Sequence, residues 1–199
     1  MLIKKGGDKM RKFQRGFTMI ELLIVIAVLG VLAVAVLSAI NPIEQINRGR
    51  DTGTRSDAEQ LLSAIDRNYT SAGFYPWQTV PLAATQPTAW AAVDDTWVDS
   101  GGTVTVLSKL SSGGTAEIKQ SFVTRITATG YNPMWKYNRG TQGDSTYICF
   151  QPQSSSFKTE AITRCGGVAA DSSGLPEDLA SAAAADVLCN EDTPFSCLP

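Results

Sequence analysis

The side chains with the greatest capacity for chemistry in this 199-residue sequence are four cysteines, a run of aspartates and one glutamate in an apolar setting. Cys149, Cys165, Cys189 and Cys197 form an even set, which suits disulfides if this part of the chain is exported. Three connectivities are possible. We expect the local one, Cys149–Cys165 with Cys189–Cys197, each bridge contributing roughly 2–4 kcal/mol. The rival is a four-thiolate zinc site, but the spacings of 16, 24 and 8 contain no C-x-x-C. Asp94, Asp95 and Asp99 in DDTWVDSGG could collect calcium oxygens. They match no EF-hand loop, and a solvated acidic turn is the plain alternative. Trp90, Trp97 and Trp135 could form a sugar-binding surface or pack over a sheet. Arg48, Arg50 and Arg55 could meet DNA phosphates, or be solvated or paired between subunits. Gly101–Gly102 and Gly113–Gly114 lack the Lys-Ser/Thr of a phosphate loop. There is no histidine. That removes histidine general bases, Ser-His-Asp and Cys-His systems, and histidine-ligated zinc. The chain reads as a non-enzyme with no cofactor of its own.

Glu21 is the residue that demands an explanation, and the elements around it supply one. Residues 1–16 hold Lys4, Lys5, Lys9, Arg11, Lys12 and Arg15 against one acid, Asp8, leaving eleven bases and eighteen acids for the rest. Basic residues directly before an apolar helix stay on the cytoplasmic side. The run FTMIELLIVIAVLGVLAVAVLSAI, residues 17–40, would span about 36 Å as a helix, enough for a bilayer core of about 30 Å. A secretory signal would be shorter and followed by a small-x-small cleavage site. On apolarity alone the run is a signal anchor. Glu21, however, lies one turn inside it, where an ionisable group costs on the order of a few kcal/mol. No Lys, Arg or His in the run can pair with it. The partner must come from another chain or from a new charge. Cleavage between Gly16 and Phe17 would create one, the α-amine of Phe17. Within one helix that amine and Glu21 are poorly placed to pair. Between neighbouring helices shifted along their axes they meet well.

The stretch R-G-F-T-M-I-E-L-L-I-V-I-A-V-L-G resembles the prepilin signal of type IV pilins and type II secretion pseudopilins. The resemblance rests on a basic leader, a Gly at the cut, an aromatic residue after it, a Glu at the fifth mature position and a long apolar helix. It implies that a membrane aspartyl prepilin peptidase cuts after Gly16 and N-methylates Phe17, and that Glu21 neutralises a neighbour's terminus during assembly. Methylation keeps the amine charged. Several pilins of this family have a helix that unwinds between a Gly and a Pro. Gly30 and Pro42 are the matching kink residues here, although the family's usual proline position is held by Ser38.

Beyond Ile40, apolar residues at Ile43, Ile46, Ala58, Leu61, Leu62, Ile65 and Tyr69 recur mostly at spacings of 3 or 4. They predict an amphipathic helix that continues the membrane helix over residues 17–70, about 80 Å in all. Gly53 weakens its middle, and Gly73 with Pro76 ends it. Its Tyr69 and the following G-F-Y-P resemble the pilin helix that terminates in Tyr-Pro. Residues 77–115 read as a variable connection with a strand at 103–107. Residues 121–130 and the segment FKTEAITRC alternate like strands. NPMWKYN, RGTQGD and STYICF read as strand, turn, strand. Residues 175–188 favour helix.

The expected organisation is a leader at 1–16, a transmembrane and assembly helix at 17–40, an amphipathic helix at 41–76 and an extracytoplasmic region at 77–199. The fold class is α+β, a long helix on a small antiparallel sheet, with a C-terminal disulfide loop that resembles the one in many pilins. The resemblance implies a structural subunit of a type IV pilus. Its partners would be other copies of itself, minor pilins, the prepilin peptidase, the assembly platform and inner-membrane lipid before assembly. Nucleic acid would be met only through the whole fibre. The alternatives are a pseudopilin forming a short periplasmic piston, and a signal-anchored binding module. The location would be the inner membrane with a cytoplasmic N-terminus, then an extracellular or periplasmic fibre.

Overall fold

The computed structural model describes residues 16–39, 41–80, 89–112, 116–140, 144–167, 171–180 and 188–199. The chain divides into two compact units at Pro42. The first contains helix α1, Met19–Ala39. Every large apolar side chain from Phe17 to Leu37 is exposed, from 46% at Val25 to 91% at Met19. A helix apolar on all sides must be covered by lipid or by other chains. By length and composition α1 is able to cross a membrane.

The single long helix expected for residues 17–70 is two helices. α1 ends at Ala39, and α2 runs from Pro42 to Ala72. Pro42 has no N–H to give to the carbonyl four residues back, and its ring clashes there. At the first position of a new helix neither defect matters. α1 passes through Gly30, and α2 through Gly53, without interruption. α2 stops at Gly73, which takes φ 78° while its N–H donates to the Tyr69 carbonyl at 2.8 Å.

The second unit, Ile43–Pro199, adds β1 (Trp90–Ala92), α3 (Val106–Ser111), α4 (Gln120–Ile126), β2 (Met134–Tyr137), β3 (Tyr147–Phe150), α5 (Ser155–Cys165) and β4 (Ser196–Leu198). The strands form one antiparallel sheet in chain order, β1-β2-β3-β4. The architecture is α+β and pilin-like. Alternation along β2 and β3 sorts side chains to two faces. Met134, Ile148 and Phe150 join Ala58, Leu61, Leu62 and Ile65 of α2 in the main core. Tyr137, Tyr147 and Cys149 belong to a smaller cluster with Cys165, Leu179, Leu188 and Cys189.

Three expected strands are not strands. The segment at 103–107 makes one isolated bridge, Val98 with Thr105, and then Thr105 caps α3 by accepting from the Ser108 N–H. Within 121–130 lies α4, because Phe122, Val123 and Ile126 bury at helical spacing. FKTEAITRC falls in α5, where Ser154 is the N-cap and Ala161 and Cys165 bury four residues apart. Short apolar runs fit both periods, and the caps decide. The turn expected at RGTQGD and the helix expected at 175–188 lie partly outside the described residues. Residues 176–180 form a turn, with the Leu179 and Ala180 N–H groups donating to the Pro176 carbonyl. β1 arises inside the region read as a variable connection.

Carboxylates on α2 lock this unit. Asp51 is fully buried and accepts from the Ser154 hydroxyl at 2.6 Å, the Ser154 N–H at 2.8 Å and the Gln153 N–H at 3.0 Å. Glu44 accepts from the Ser155 N–H and hydroxyl at 3.1 and 2.8 Å, and these bonds lower its pKa. Both acids therefore sit at the positive end of α5. Asp57 accepts from Arg125 and from the Tyr131 hydroxyl, each at 2.6 Å. Arg55 pairs with Glu160 at 2.9 Å.

Asp51→Ala leaves two N–H groups and a hydroxyl without their acceptor. It should destabilise the unit by about 3 kcal/mol, read by chemical denaturation of the full chain in detergent. Lys136 is buried with its Nζ 4.5 Å from the centre of the Trp77 ring, and burial lowers its pKa from 10.5 to about 8. Between those values the unfolded chain holds the proton and the folded chain does not, so stability rises with pH from about 8. Burial raises Tyr147 to about 12, which makes stability fall again above the ordinary tyrosine value of about 10. Denaturation midpoints should peak between these limits, and Lys136→Met should abolish the rise.

Candidate functional site: the processing and assembly terminus

Gly16, Phe17 and Thr18 precede α1 in non-helical backbone, and all three are exposed. Thr18 starts the helix. Its hydroxyl oxygen accepts from the Glu21 N–H at 3.2 Å, and its carbonyl accepts from the Leu22 N–H at 3.2 Å. The same hydroxyl lies 3.5 Å from Glu21 Oε2, toward which it donates. This is a Thr-x-x-Glu start in which the threonine hydroxyl satisfies the Glu21 N–H and faces the carboxylate. It was legible in the letters T-M-I-E. Read only as a charge in an apolar run, Glu21 does not point to Thr18; the T-x-x-E spacing does.

The arrangement has chemical consequences. The Gly16–Phe17 peptide lies outside the helix, where a protease can hold it extended. A Cβ added at Gly16 would meet nothing within 4 Å. The fold itself makes no demand for glycine there, so any such demand belongs to the enzyme that reads the site. Cleavage would place an ammonium group two residues ahead of a helix N-terminus, the wrong sign for that pole. Glu21, in the first turn, has the right sign. The carboxylate offsets the pole.

The other sequence candidates separate. Asp94 Oδ1 accepts from the Thr96 N–H at 2.8 Å and the Thr96 hydroxyl at 2.6 Å. Asp99 is buried against Lys109 Nζ at 2.7 Å, which holds its carboxyl below the usual range. Asp94, Asp95 and Asp99 thus do not converge on a calcium site, and no group of three metal-ligating acids, cysteines or histidines occurs among the described residues. Trp97 is buried in the main core, while Trp90 and Trp135 pack on Phe195 at 5.7 and 5.1 Å. They serve packing rather than a flat sugar-binding surface. All four cysteines are oxidised, but not in the expected pairs. Cys149 bonds to Cys197 and Cys165 to Cys189. The reason is topological. β4 pairs beside β3 with Cys149 opposite Cys197, and α5 carries Cys165 away from Cys149.

The prokaryotic N-terminal methylation motif family matches residues 11–37. That match spans the end of the basic stretch, Gly16, Phe17, Glu21 and most of α1. The chain carries a type IV pilin-type N-terminal signal. Fimbrial protein EcpC of Eikenella corrodens is 24% identical over 140 residues, covering 70% of this chain and 90% of that protein. The likeness therefore extends past the prepilin-type signal into the globular unit. No solved structure matches. Signal, relative and fold together support a pilin-type subunit.

Thr18→Ala removes the acceptor of the Glu21 N–H. The first turn of this prepilin-type helix should lose about 1 kcal/mol. Amide exchange at Glu21 should quicken about fivefold in detergent micelles, with the rest of α1 unchanged.

Proposed function

We propose that this chain is the structural subunit of a type IV pilus filament. A prepilin peptidase removes residues 1–16 as a basic leader by cutting after Gly16, and methylates the amine of Phe17. Residues 17–40 then serve first as a single-pass inner-membrane helix with a cytoplasmic N-terminus and afterwards as the assembly helix. Residues 41–76 carry the second helix, and 77–199 form the exported face with its disulfides. Partners are further copies of the chain, minor pilins, the assembly platform and membrane lipid before assembly. Gly30 and Pro42 are the places where the helical path can open.

One observation carries this reading. The apolar helix has a lone carboxylate at its start, next to an exposed Gly-Phe peptide within the methylation motif. Burying each exposed Leu, Ile or Val of α1 gains roughly 1.5–3 kcal/mol. Glu21 costs on the order of 3 kcal/mol in lipid. Insertion is therefore favourable overall, yet the carboxylate still gains from a positive partner. A neighbour's Phe17 amine supplies one.

Glu21→Ala should leave cleavage after Gly16 intact while fibre yield falls at least tenfold, or the amine stays unmethylated. Peptide mass spectrometry and fibre recovery read these outcomes separately. Wild-type amounts of Glu21→Ala fibre would contradict the pairing. Gly16→Val should leave the leader attached and the chain absent from fibres. An unprocessed chain that still assembles would contradict the prepilin reading. A processed fibre confined to the periplasm would point to a pseudopilus.

A further inference from the structure

Most charged side chains of α2 are engaged within their own unit. Glu44 and Asp51 hold the start of α5, Arg55 holds Glu160, Asp57 holds Arg125, and Arg67 holds Glu117 at 2.7 Å. Arg50 lines a groove beside Asp57 and Arg125. Arg48, Glu59 and Asp66 are left. All three are exposed, and none has a salt bridge or side-chain hydrogen bond among the described residues. The Arg48 charge reaches Glu44 only through space.

These three fall on one face. At 3.6 residues per turn, Arg48, Glu59 and Asp66 lie within about 20° of one another around the helix axis, on one exposed stripe beside the face that buries Ala58, Leu61 and Ile65. The face is ordered by sign, with the base toward the helix start and both acids toward its end.

We propose that this face docks α2 of a second copy, parallel and displaced along the axis, so that Arg48 of one copy pairs with Glu59 of the next. The proposal rests on the filament reading, since copies inserted with one polarity carry α2 in the same sense. The displacement is eleven residues, about 16 Å. An in-register parallel pair would set Arg48 against Arg48 and acids against acids, so the charge order rejects that arrangement. The stagger has the same sense as the one that brings a Phe17 amine to a neighbour's Glu21, where the base also precedes the acid.

The test uses the full chain in its host, with Arg48→Glu, Glu59→Arg and the two combined. Each single change should cut fibre recovery at least fivefold, while the membrane pool, its disulfides and the methylated Phe17 stay at wild-type levels. The combined change restores the pair in every contact and should recover fibre to within twofold of wild type. Singles that assemble normally, or a combined variant as poor as the singles, would overturn the docking. A wild-type chain that keeps its leader and forms no fibre would overturn the filament reading itself, and the docking with it.

Discussion

A single carboxylate in a helix that is apolar on every side constrains everything else in this molecule. α1 cannot remain in water, because its side chains from Phe17 to Leu37 have no cover of their own. Lipid covers them well but leaves Glu21 without a positive partner. A bundle of identical helices covers them equally well and can bring each carboxylate a neighbour's ammonium group. The difference between those environments is electrostatic rather than hydrophobic. On the proposed reading, it would favour a staggered assembly over both the membrane and an unstaggered bundle. Thr18 keeps the carboxylate at the mouth of the helix, so the charge is positioned before any neighbour arrives.

The globular unit solves a different problem with the same kind of group. α2 must hold a small sheet and several short helices, and apolar contact alone leaves their orientation loose. Asp51 and Glu44 fix the start of α5, Asp57 fixes the end of α4 and Tyr131, and Arg55 reaches Glu160. Each of these acids is met by N–H or O–H donors, which offsets the desolvation of a buried charge. Two disulfides close the remaining freedom, one across β3 and β4 and the other from the end of α5 to Cys189. Arg48, Glu59 and Asp66 make no salt bridge among the described residues and are exposed.

The parts readable in the sequence were those with a strong period or a cost without local benefit. The apolar run and Glu21 stood out because one is long and the other expensive. β2 and β3 followed from the aromatic and apolar runs MWKY and YICF on either side of the turn residues RGTQGD. The failures share a physical cause. Residues 121–126 and 157–165 carry too few apolar positions to separate a period of 2 from one of 3.6; burial of Phe122, Val123 and Ile126 decides the first for helix, and the Ser154 cap supports helix in the second. The disulfide pairing depended on β4 returning beside β3, a long-range contact that spacing along the chain does not encode. The roles of the α2 acids were not legible, since nothing local shows that Asp51 meets Ser154, 103 residues further along the chain. Pro42 was expected to bend one helix, and instead it begins another.

The most direct measurement is the mass of the N-terminal peptide in fibres sheared from the cell surface, set against that of the membrane fraction. The account predicts a chain beginning at Phe17, carrying one added methyl group, in the sheared material. A chain that keeps residues 1–16 in every fraction would contradict it and return α1 to the role of a plain membrane anchor.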